Sequence, residues 1–201
     1  MTPDAAFALL GFAFVMSITP GPSNLLLLAS GANFGITRSL PLLFGISSGF
    51  LLMVLLVGLG LGGLLERFPA AHQALRFACA AYVLWLAMQI ARSGPAGPGE
   101  ADGPAKPIGY VKAALFQWVN PKAWTAALIV NVNYALPGDM FTSLAWTIAL
   151  FAVVNVPSIG VWLLSGTTLR RLLSDRRRLL VFNVAMALLL VGTTIPALFN
   201  A

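Results

Sequence analysis

Two long apolar runs in this chain are each interrupted by a cluster of proline and polar residues. The first run begins near Ala5 and is broken at Thr19-Pro20-Gly21-Pro22-Ser23-Asn24 before it resumes. The second extends from Ile108 to about Val132 and is broken at Trp118-Val119-Asn120-Pro121-Lys122-Ala123. Inside a bilayer, backbone groups freed by such a break are tolerated only when they are buried in protein or line a watery cavity. The breaks therefore predict two buried polar sites in a membrane protein.

The composition and the length of the apolar runs agree with that prediction. Apolar residues make up 59% of the chain and charged residues 9%, and a helix needs about 20 apolar residues to cross the hydrocarbon core. Six runs come close to this length: Ala5–Ala29, Leu40–Leu65, Gln73–Ala91, Ile108–Val132, Phe141–Ser165 and Leu179–Phe199. None alternates polar and apolar residues as the strands of a membrane barrel do. We expect one all-α integral membrane domain over residues 1–201, with six transmembrane helices of which the first and fourth are broken.

A polar stretch rich in glycine and proline, residues 93–107, divides the chain into two halves. We interpret it as a cytoplasmic linker between repeat one, residues 1–92, and repeat two, residues 108–201. Each half holds three of the predicted spans, so the second half enters the membrane in the opposite orientation. Many secondary transporters are built from two such inverted repeats, and paired interrupted spans are the best sequence pointer to their binding site.

The positive charges indicate how the chain is oriented. Most basic residues fall in loops on one side of the predicted bundle, and the cytoplasmic side is the one enriched in Lys and Arg. These residues are Arg38, Arg92, Lys106, Lys112, Arg170, Arg171, Arg176, Arg177 and Arg178, against Arg67 and Arg76 on the opposite side. We therefore expect both termini outside, in the periplasm of a bacterial inner membrane. The net charge of +6 reflects topology and not nucleic-acid binding.

Each break is expected to present the start of a half-helix within the membrane. Proline suits the first position of a helix, so new segments should begin at Pro22 and at Pro121, the latter capped by Asn120. Free N–H groups and the helix dipole make such an end attractive to anions, for which a carboxylate is the obvious ligand. The carbonyls that end the preceding half-helices are expected to receive an ammonium group. A zwitterionic amino acid satisfies both ends.

Lys122 is the one basic residue well inside a predicted span, and ionisable residues at such depth are functional candidates by default. It is predicted to pair with a substrate carboxylate or to change protonation during transport, and the alternative is a cation that reaches the outer head groups. For the polar residues around it, interhelical hydrogen bonds are the alternative to substrate contact. The predicted substrate-binding residues are Pro20, Gly21, Pro22, Ser23, Asn24, Gln117, Asn120, Pro121 and Lys122.

Two further groups of residues are predicted to act in packing or as hinges. Gly45 and Gly49 lie four apart on one helix face, where small residues allow close helix packing within the bundle or in a homodimer. Asn155, Pro157 and Ser158 form a third interruption, which is expected to be a proline kink or a hinge.

Several chemistries lack the residues they need. No Asp or Glu lies within a predicted span, and the chain has one His, His72, and one Cys, Cys79. There is no cluster of the usual metal ligands, no phosphate-binding Gly-rich loop and no buried Ser/His/acid set. We expect no metal, no cofactor and no enzymatic activity. An exporter of a small ion or other solute and a membrane enzyme are the alternatives, although both need groups that the spans lack.

At its motifs the chain resembles the LysE/RhtB family of amino-acid exporters. In the first half, these motifs are the first break, Gly45-x-x-x-Gly49 and Ala81-Tyr82-x-x-Trp85-Leu86. In the second half they are Asn120-Pro121-Lys122-Ala123-Trp124, Asn155-Val156-Pro157-Ser158 and Phe182-Asn183. The resemblance implies a six-helix exporter of amino acids or close metabolites from the bacterial cytoplasm, coupled to the proton gradient.

The chain departs from the family pattern at two positions. Ser23 stands between the Pro-Gly-Pro element and Asn24, where many relatives have Asn directly. Phe50 stands where many relatives carry an acidic residue, so the resemblance implies a preference for small neutral substrates. The segment Gly45–Phe50 is most similar to the cysteine/O-acetylserine exporter branch, and threonine and homoserine are the related candidate substrates.

Overall fold

The structure is a computed structural model that describes residues 3–61, 69–93, 106–134, 140–173 and 175–199. Within these ranges the regular elements are all helical, which confirms the predicted all-α class. The elements are α1 (Pro3–Ile18), α2 (Pro22–Leu56), a π-helical turn (Val57–Leu61), α3 (Pro69–Ala91), α4 (Tyr110–Trp118), α5 (Pro121–Tyr134), α6 (Met140–Leu169) and α7 (Arg176–Phe199). Most of the predicted linker, residues 94–105, and Arg67 lie outside the described residues.

Among the described residues, three helical stretches are long and apolar enough to cross a membrane: Pro22–Leu61, Met140–Leu169 and Arg176–Pro196. Pro3–Ile18 and Phe77–Ala91 are shorter apolar helices. Helix length and composition therefore support a multi-pass α-helical membrane protein. They leave the arrangement of six spans in two repeats as a prediction.

The two predicted breaks separate α1 from α2 and α4 from α5. Pro22 and Pro121 are the first residues of the new helices, where the missing amide proton costs nothing. With 16 residues in α1 and 14 in α5, the breaks lie about 24 Å and about 21 Å from the far ends of these helices. Both breaks are therefore well inside the apolar runs.

Helix α2 contains a sharp change of direction at Gly35. This residue has φ 78° and ψ −177°, a backbone conformation that only glycine adopts readily. We therefore divide α2 into α2a, residues 22–34, and α2b, residues 36–56. The first segment completes the first predicted span and the second belongs to the second predicted span, so the polar loop expected around Arg38 is helical.

Glycines set the close helix contacts of the bundle. On α2b, a Cβ added to Gly45 would lie 2.7 Å from Ala113 Cβ, and one added to Gly49 would lie 2.6 Å from Ala114 Cα. On α2a, a Cβ added to Gly31 would run into the backbone of Leu163 on α6. Helix α2b thus packs tightly on α4 and α2a on α6, because no side chain separates the backbones.

The apolar core consists of two clusters of buried side chains. One joins α2, α3, α4, α6 and α7, and includes Ile46 and Ile159. The other joins α1, α2b, α5 and α6, and includes Phe50 and Phe151. All four of these side chains also line a cavity between the helix breaks, so the two clusters meet at a polar site.

Candidate functional site

A partly open cavity of about 50 Å³ lies where α1, α2, α4, α5 and α6 meet. Its apolar wall includes the rings of Phe50 and Phe151, which are tilted by 49° and have centroids 4.8 Å apart. Its polar lining combines residues of both breaks with residues of α1 and α6. The polar and charged side chains in the lining are Ser17, Ser23, Asn24, Gln117, Asn120, Lys122 and Asn155.

The ammonium group of Lys122 binds the C-terminal end of α1. Its Nζ donates to the carbonyl oxygen and to Oγ1 of Thr19, both at 2.7 Å. A third contact, to the carbonyl oxygen of Pro20 at 3.5 Å, is at the outer limit for a hydrogen bond. Lys122 therefore places a positive charge at the negative end of the α1 dipole, and one of its N–H groups is only weakly engaged.

Gly21 allows this position of the lysine side chain. A Cβ at residue 21 would lie 2.8 Å from Lys122 Cδ and 3.3 Å from Nζ. Gly21 has an extended backbone that other residues also adopt, with φ −168° and ψ 172°. A side chain at residue 21 would therefore displace Lys122, and no backbone strain is involved.

Three polar side chains tie the two breaks together. Ser23 Oγ lies 2.9 Å from Asn120 Nδ2 and 3.1 Å from Gln117 Nε2, and accepts from both. Gln117 and Asn120 are 2% and 3% exposed, so these bonds are out of contact with bulk water. The network fixes the start of α2a against the end of α4 and the start of α5.

The two half-helix N-termini differ in capping. Asn120 Oδ1 accepts from the backbone N–H of Lys122 at 3.1 Å, so α5 has a side-chain cap. Gly21 is the cap residue of α2a and supplies no side-chain bond. The N–H groups of Ser23 and Asn24 precede the first helical bond, from Leu25 to Gly21, so the α2a end is the more receptive to an anion.

The comparisons with known proteins point to one family. The family model described as LysE type translocator matches residues 14–199. Cysteine/O-acetylserine efflux proteins of Escherichia coli (strain K12), Shigella sonnei and Shigella flexneri are 34% identical over 195 residues, which is 95% of this chain and 96% of each relative. The chain belongs to the LysE type translocator family. No solved structure gives a significant match.

The translocator family and the apolar helices together make this a multi-pass membrane protein. Most of the residues that the sequence analysis predicted to bind substrate line one cavity in this translocator. They are Gly21, Ser23, Asn24, Gln117, Asn120 and Lys122. Pro22 and Pro121 begin the half-helices, and Pro20 offers its carbonyl to Lys122. Their roles in binding stay predictions.

Asn24 has a structural function in the translocator. Its Nδ2 donates to the carbonyl oxygens of Ser17 at 2.9 Å and Thr19 at 2.8 Å. From α6, Trp162 Nε1 donates to the carbonyl oxygen of Ile18 at 3.0 Å. Side chains of α2a, α5 and α6 thus close the last turn of α1.

The residues predicted to act in packing or as hinges lie in two places. Gly45 and Gly49 face α4 within the bundle of the chain itself. Helix α6 runs from Met140 to Leu169 through Pro157 without a break, so the expected third interruption does not divide the helix. Ser158 is buried on α6, whereas Asn155 lines the cavity.

Sequence reasoning did not identify several residues of the site. Thr19, which accepts from Lys122, belongs to the first break motif, so the sequence could have indicated it. Ser17, a small polar residue inside an apolar run, gave a weak signal. Phe50 stood out as a departure from the family pattern, and the structure adds that it lines the cavity beside Phe151.

Proposed function

We propose that this translocator is a secondary active exporter of small neutral amino acids or their derivatives across the bacterial inner membrane. Cysteine and O-acetylserine are the first candidates, and threonine and homoserine follow. The single observation that carries the proposal is the cavity at the two helix breaks, lined by Lys122 beside the uncapped start of α2a. Membership of the family and the names of its relatives support the same conclusion.

The substrate carboxylate binds at the start of α2a. Free N–H groups at a helix N-terminus attract anions, and Lys122 adds a full positive charge at that point. Since the Lys122 contact with Pro20 is long, its third N–H can turn to the carboxylate without loss of the two bonds to Thr19.

The substrate side chain is small and uncharged. The wall that it would contact is formed by apolar residues, including Ile46, Phe50, Phe151 and Ile159. None of the described residues that line the cavity is acidic, so a cationic side chain would be buried there without a partner. The cavity volume of about 50 Å³ fits only a few atoms in this conformation, so the site must widen to hold a whole amino acid.

The transport cycle is alternating access between two inverted repeats. The packing of whole spans supports this, because the first predicted span packs on the fifth through α2a and α6, and the second packs on the fourth through α2b and α4. Asn33 and Asn183 also join the repeats. Asn33 Nδ2 donates to Asn183 Oδ1 at 2.7 Å and Asn183 Nδ2 to Asn33 Oδ1 at 2.9 Å. This buried pair is a discrete contact that can break and re-form between two states.

The proton gradient supplies the energy. Lys122 is the single ionisable side chain among the described residues that line the cavity. If a side chain of the protein carries the transported proton, that side chain is Lys122. Efflux should then respond to an imposed pH gradient and fall when a protonophore collapses it.

The exposed arginines at the α6–α7 connection face the cytoplasm, and both termini face the periplasm. These arginines are Arg170, Arg171 and Arg176–Arg178.

A homodimer stays a prediction. Gly45 and Gly49 pack against α4 within the bundle, so they give a homodimer no support.

The proposal is tested by efflux from cells preloaded with labelled cysteine, O-acetylserine, threonine, homoserine or lysine. Lys122→Ala should insert normally and lose export, because Thr19 keeps its bond from Asn24 and α1 stays closed. Lys112→Ala is the matched control, since Lys112 is exposed and lies over the Trp85 ring, 4.8 Å from its centroid. Normal efflux from the Lys122 variant at matched protein levels would contradict its role. The absence of protein-dependent efflux across the panel would contradict the function.

A further inference from the structure

The carbonyl groups that end α1 are already occupied. The oxygens of Ser17 and Thr19 accept from Asn24, and that of Ile18 accepts from Trp162. Thr19 and Pro20 also accept from Lys122. An ammonium group of a bound substrate would have to share these oxygens with side chains already bonded to them, and Lys122 is itself an ammonium group in that place.

The end of α4 is occupied in the same way. The carbonyl oxygens of Phe116 and Gln117 accept from the backbone N–H groups of Val119 and Asn120, both at 3.2 Å. That of Trp118 accepts from Trp124 Nε1 at 2.9 Å. Each of these three backbone oxygens therefore already accepts a hydrogen bond, and none of them is an unpaired acceptor for a substrate ammonium group.

One buried oxygen in the cavity lining has no partner. Among the described residues, Asn155 Oδ1 and Thr194 Oγ1 are the buried side-chain oxygen or nitrogen atoms without a hydrogen bond. Asn155 lines the cavity and is 6% exposed. Its Nδ2 donates to Ser17 Oγ at 3.0 Å, whereas Oδ1 has no partner. Buried polar groups are nearly always paired, so an unpaired acceptor beside a cavity requires an explanation.

We infer that Asn155 Oδ1 accepts a hydrogen bond from the α-ammonium group of the substrate. This inference rests on the proposed function, because it assumes that an α-amino acid binds in the cavity. The carboxylate then lies at α2a and Lys122, and the ammonium group lies toward α6. Asn155 thus becomes a substrate-binding residue that selects for an amino group, in addition to its contact with α1 through Ser17.

The test measures binding by the purified full-length protein in detergent, as ligand-induced thermal stabilisation. The two probes are cysteine and 3-mercaptopropionate, which has the same carboxylate and thiol but no amine. Wild-type protein should bind cysteine at least about tenfold more tightly, the effect expected of one hydrogen bond to a charged group. In Asn155→Leu and in Asn155→Ala, cysteine should bind no better than 3-mercaptopropionate, while affinity for the latter stays unchanged.

Asn155→Asp separates two orientations of the substrate. It keeps an acceptor, so cysteine affinity should be retained or increased, and Ser17 can turn its hydroxyl proton toward the new oxygen. A loss of cysteine affinity in this variant would mean that the amide N–H binds the carboxylate, which would overturn the inference. Thr194→Val is the matched control, because it removes the other unpaired buried oxygen from a residue that is not in the cavity lining. It should leave both affinities unchanged.

The outcomes distinguish the inference from the proposed function. If wild-type protein is stabilised by none of cysteine, O-acetylserine, threonine or homoserine, the proposed function fails. If wild-type protein prefers cysteine over 3-mercaptopropionate and Asn155→Leu and Asn155→Ala keep that preference, the inference alone fails. An equal loss of affinity for both probes in these variants would show a packing role for Asn155 and would also overturn the inference.

Discussion

The substitution Gly21→Ala tests the close approach of Lys122 to the first break. A Cβ at residue 21 would lie 2.8 Å from Lys122 Cδ. Carbon atoms pack at about 3.5–4.0 Å, so Cδ would have to move by roughly 0.7–1.2 Å. The Nζ atom lies 2.7 Å from both of its Thr19 acceptors. A shift of that size takes at least one of these distances beyond the range of about 2.7–3.2 Å for such bonds.

The loss of one hydrogen bond to a charged group corresponds to about 1.5–3 kcal/mol. If Lys122 must hold this position during transport, the initial rate of amino-acid export should fall by about 10- to 100-fold, since each 1.4 kcal/mol is about a factor of ten. The backbone at Gly21 is extended and accepts alanine, so the fold should be retained.

The assay is the initial rate of efflux from preloaded cells at matched protein levels. Gly109→Ala is the control, because Gly109 is also an extended N-cap residue and has nothing within 4 Å of an added Cβ. Gly109→Ala has the same effect on helix stability of replacing a glycine cap, but its new Cβ makes no contact with Lys122. Its efflux should stay within about a factor of three of wild type, given the few tenths of a kcal/mol usual for such a change.

A double-mutant cycle decides whether Gly21 acts through Lys122. Because a Lys122 variant is expected to lose export, the cycle is measured in the free energy of unfolding in detergent. In a Lys122→Met background, Gly21→Ala should cause little further loss of that free energy, because coupled residues are not additive. Equal efflux from Gly21→Ala and Gly109→Ala would refute the reasoning. A full additional loss in the Lys122→Met background would refute it as well.

Three further predictions concern the bundle and the cavity wall. Gly31→Ala should lower the free energy of unfolding in detergent by about 1–3 kcal/mol, because the new Cβ meets backbone of α6 that cannot yield, whereas Gly192→Ala, with nothing within 4 Å, should not. Asn33→Ala and Asn183→Ala should each lower the free energy of unfolding by about 1–3 kcal/mol, because each leaves the partner's Oδ1 without a donor, and the loss in the double variant should be less than the sum. Phe50→Glu puts a carboxylate on the cavity wall and should give protein-dependent efflux of labelled lysine, which wild type should lack. If lysine efflux does not increase, this wall does not determine which substrate side chains are accepted.

The positions of the helix breaks could be predicted from the sequence because their causes are local. Proline lacks an amide proton and fixes its own backbone angle, so Pro22 and Pro121 suit the first positions of new helices. Pro157 lies inside α6, which continues through it, so the kink or hinge expected there stays a prediction. There, packing along the 30 residues of α6 outweighs the loss of one helical bond. Local chemistry thus sets where a break is possible, and tertiary contacts decide whether it occurs.

The partners of the site residues could not be predicted from the sequence. Ser23 and Gln117 are 94 positions apart and Lys122 and Thr19 are 103 apart, and no local pattern encodes either pair. For Lys122 the sequence indicated that the residue is unusual at its depth in a span. Only the three-dimensional structure gives the direction of its side chain, toward the end of α1.

The difference between the two breaks is what suits the proposed site to a zwitterion. Two identical breaks related by the inverted repeats would offer two identical anion sites and two identical sets of carbonyls. Asn120 caps α5 and so removes one anion site, and Lys122 and Asn24 fill the carbonyls at the end of α1. What is left is one uncapped N-terminus at α2a and one unpaired acceptor at Asn155. An α-amino acid has one carboxylate and one ammonium group, which are the two kinds of group that these two sites accept.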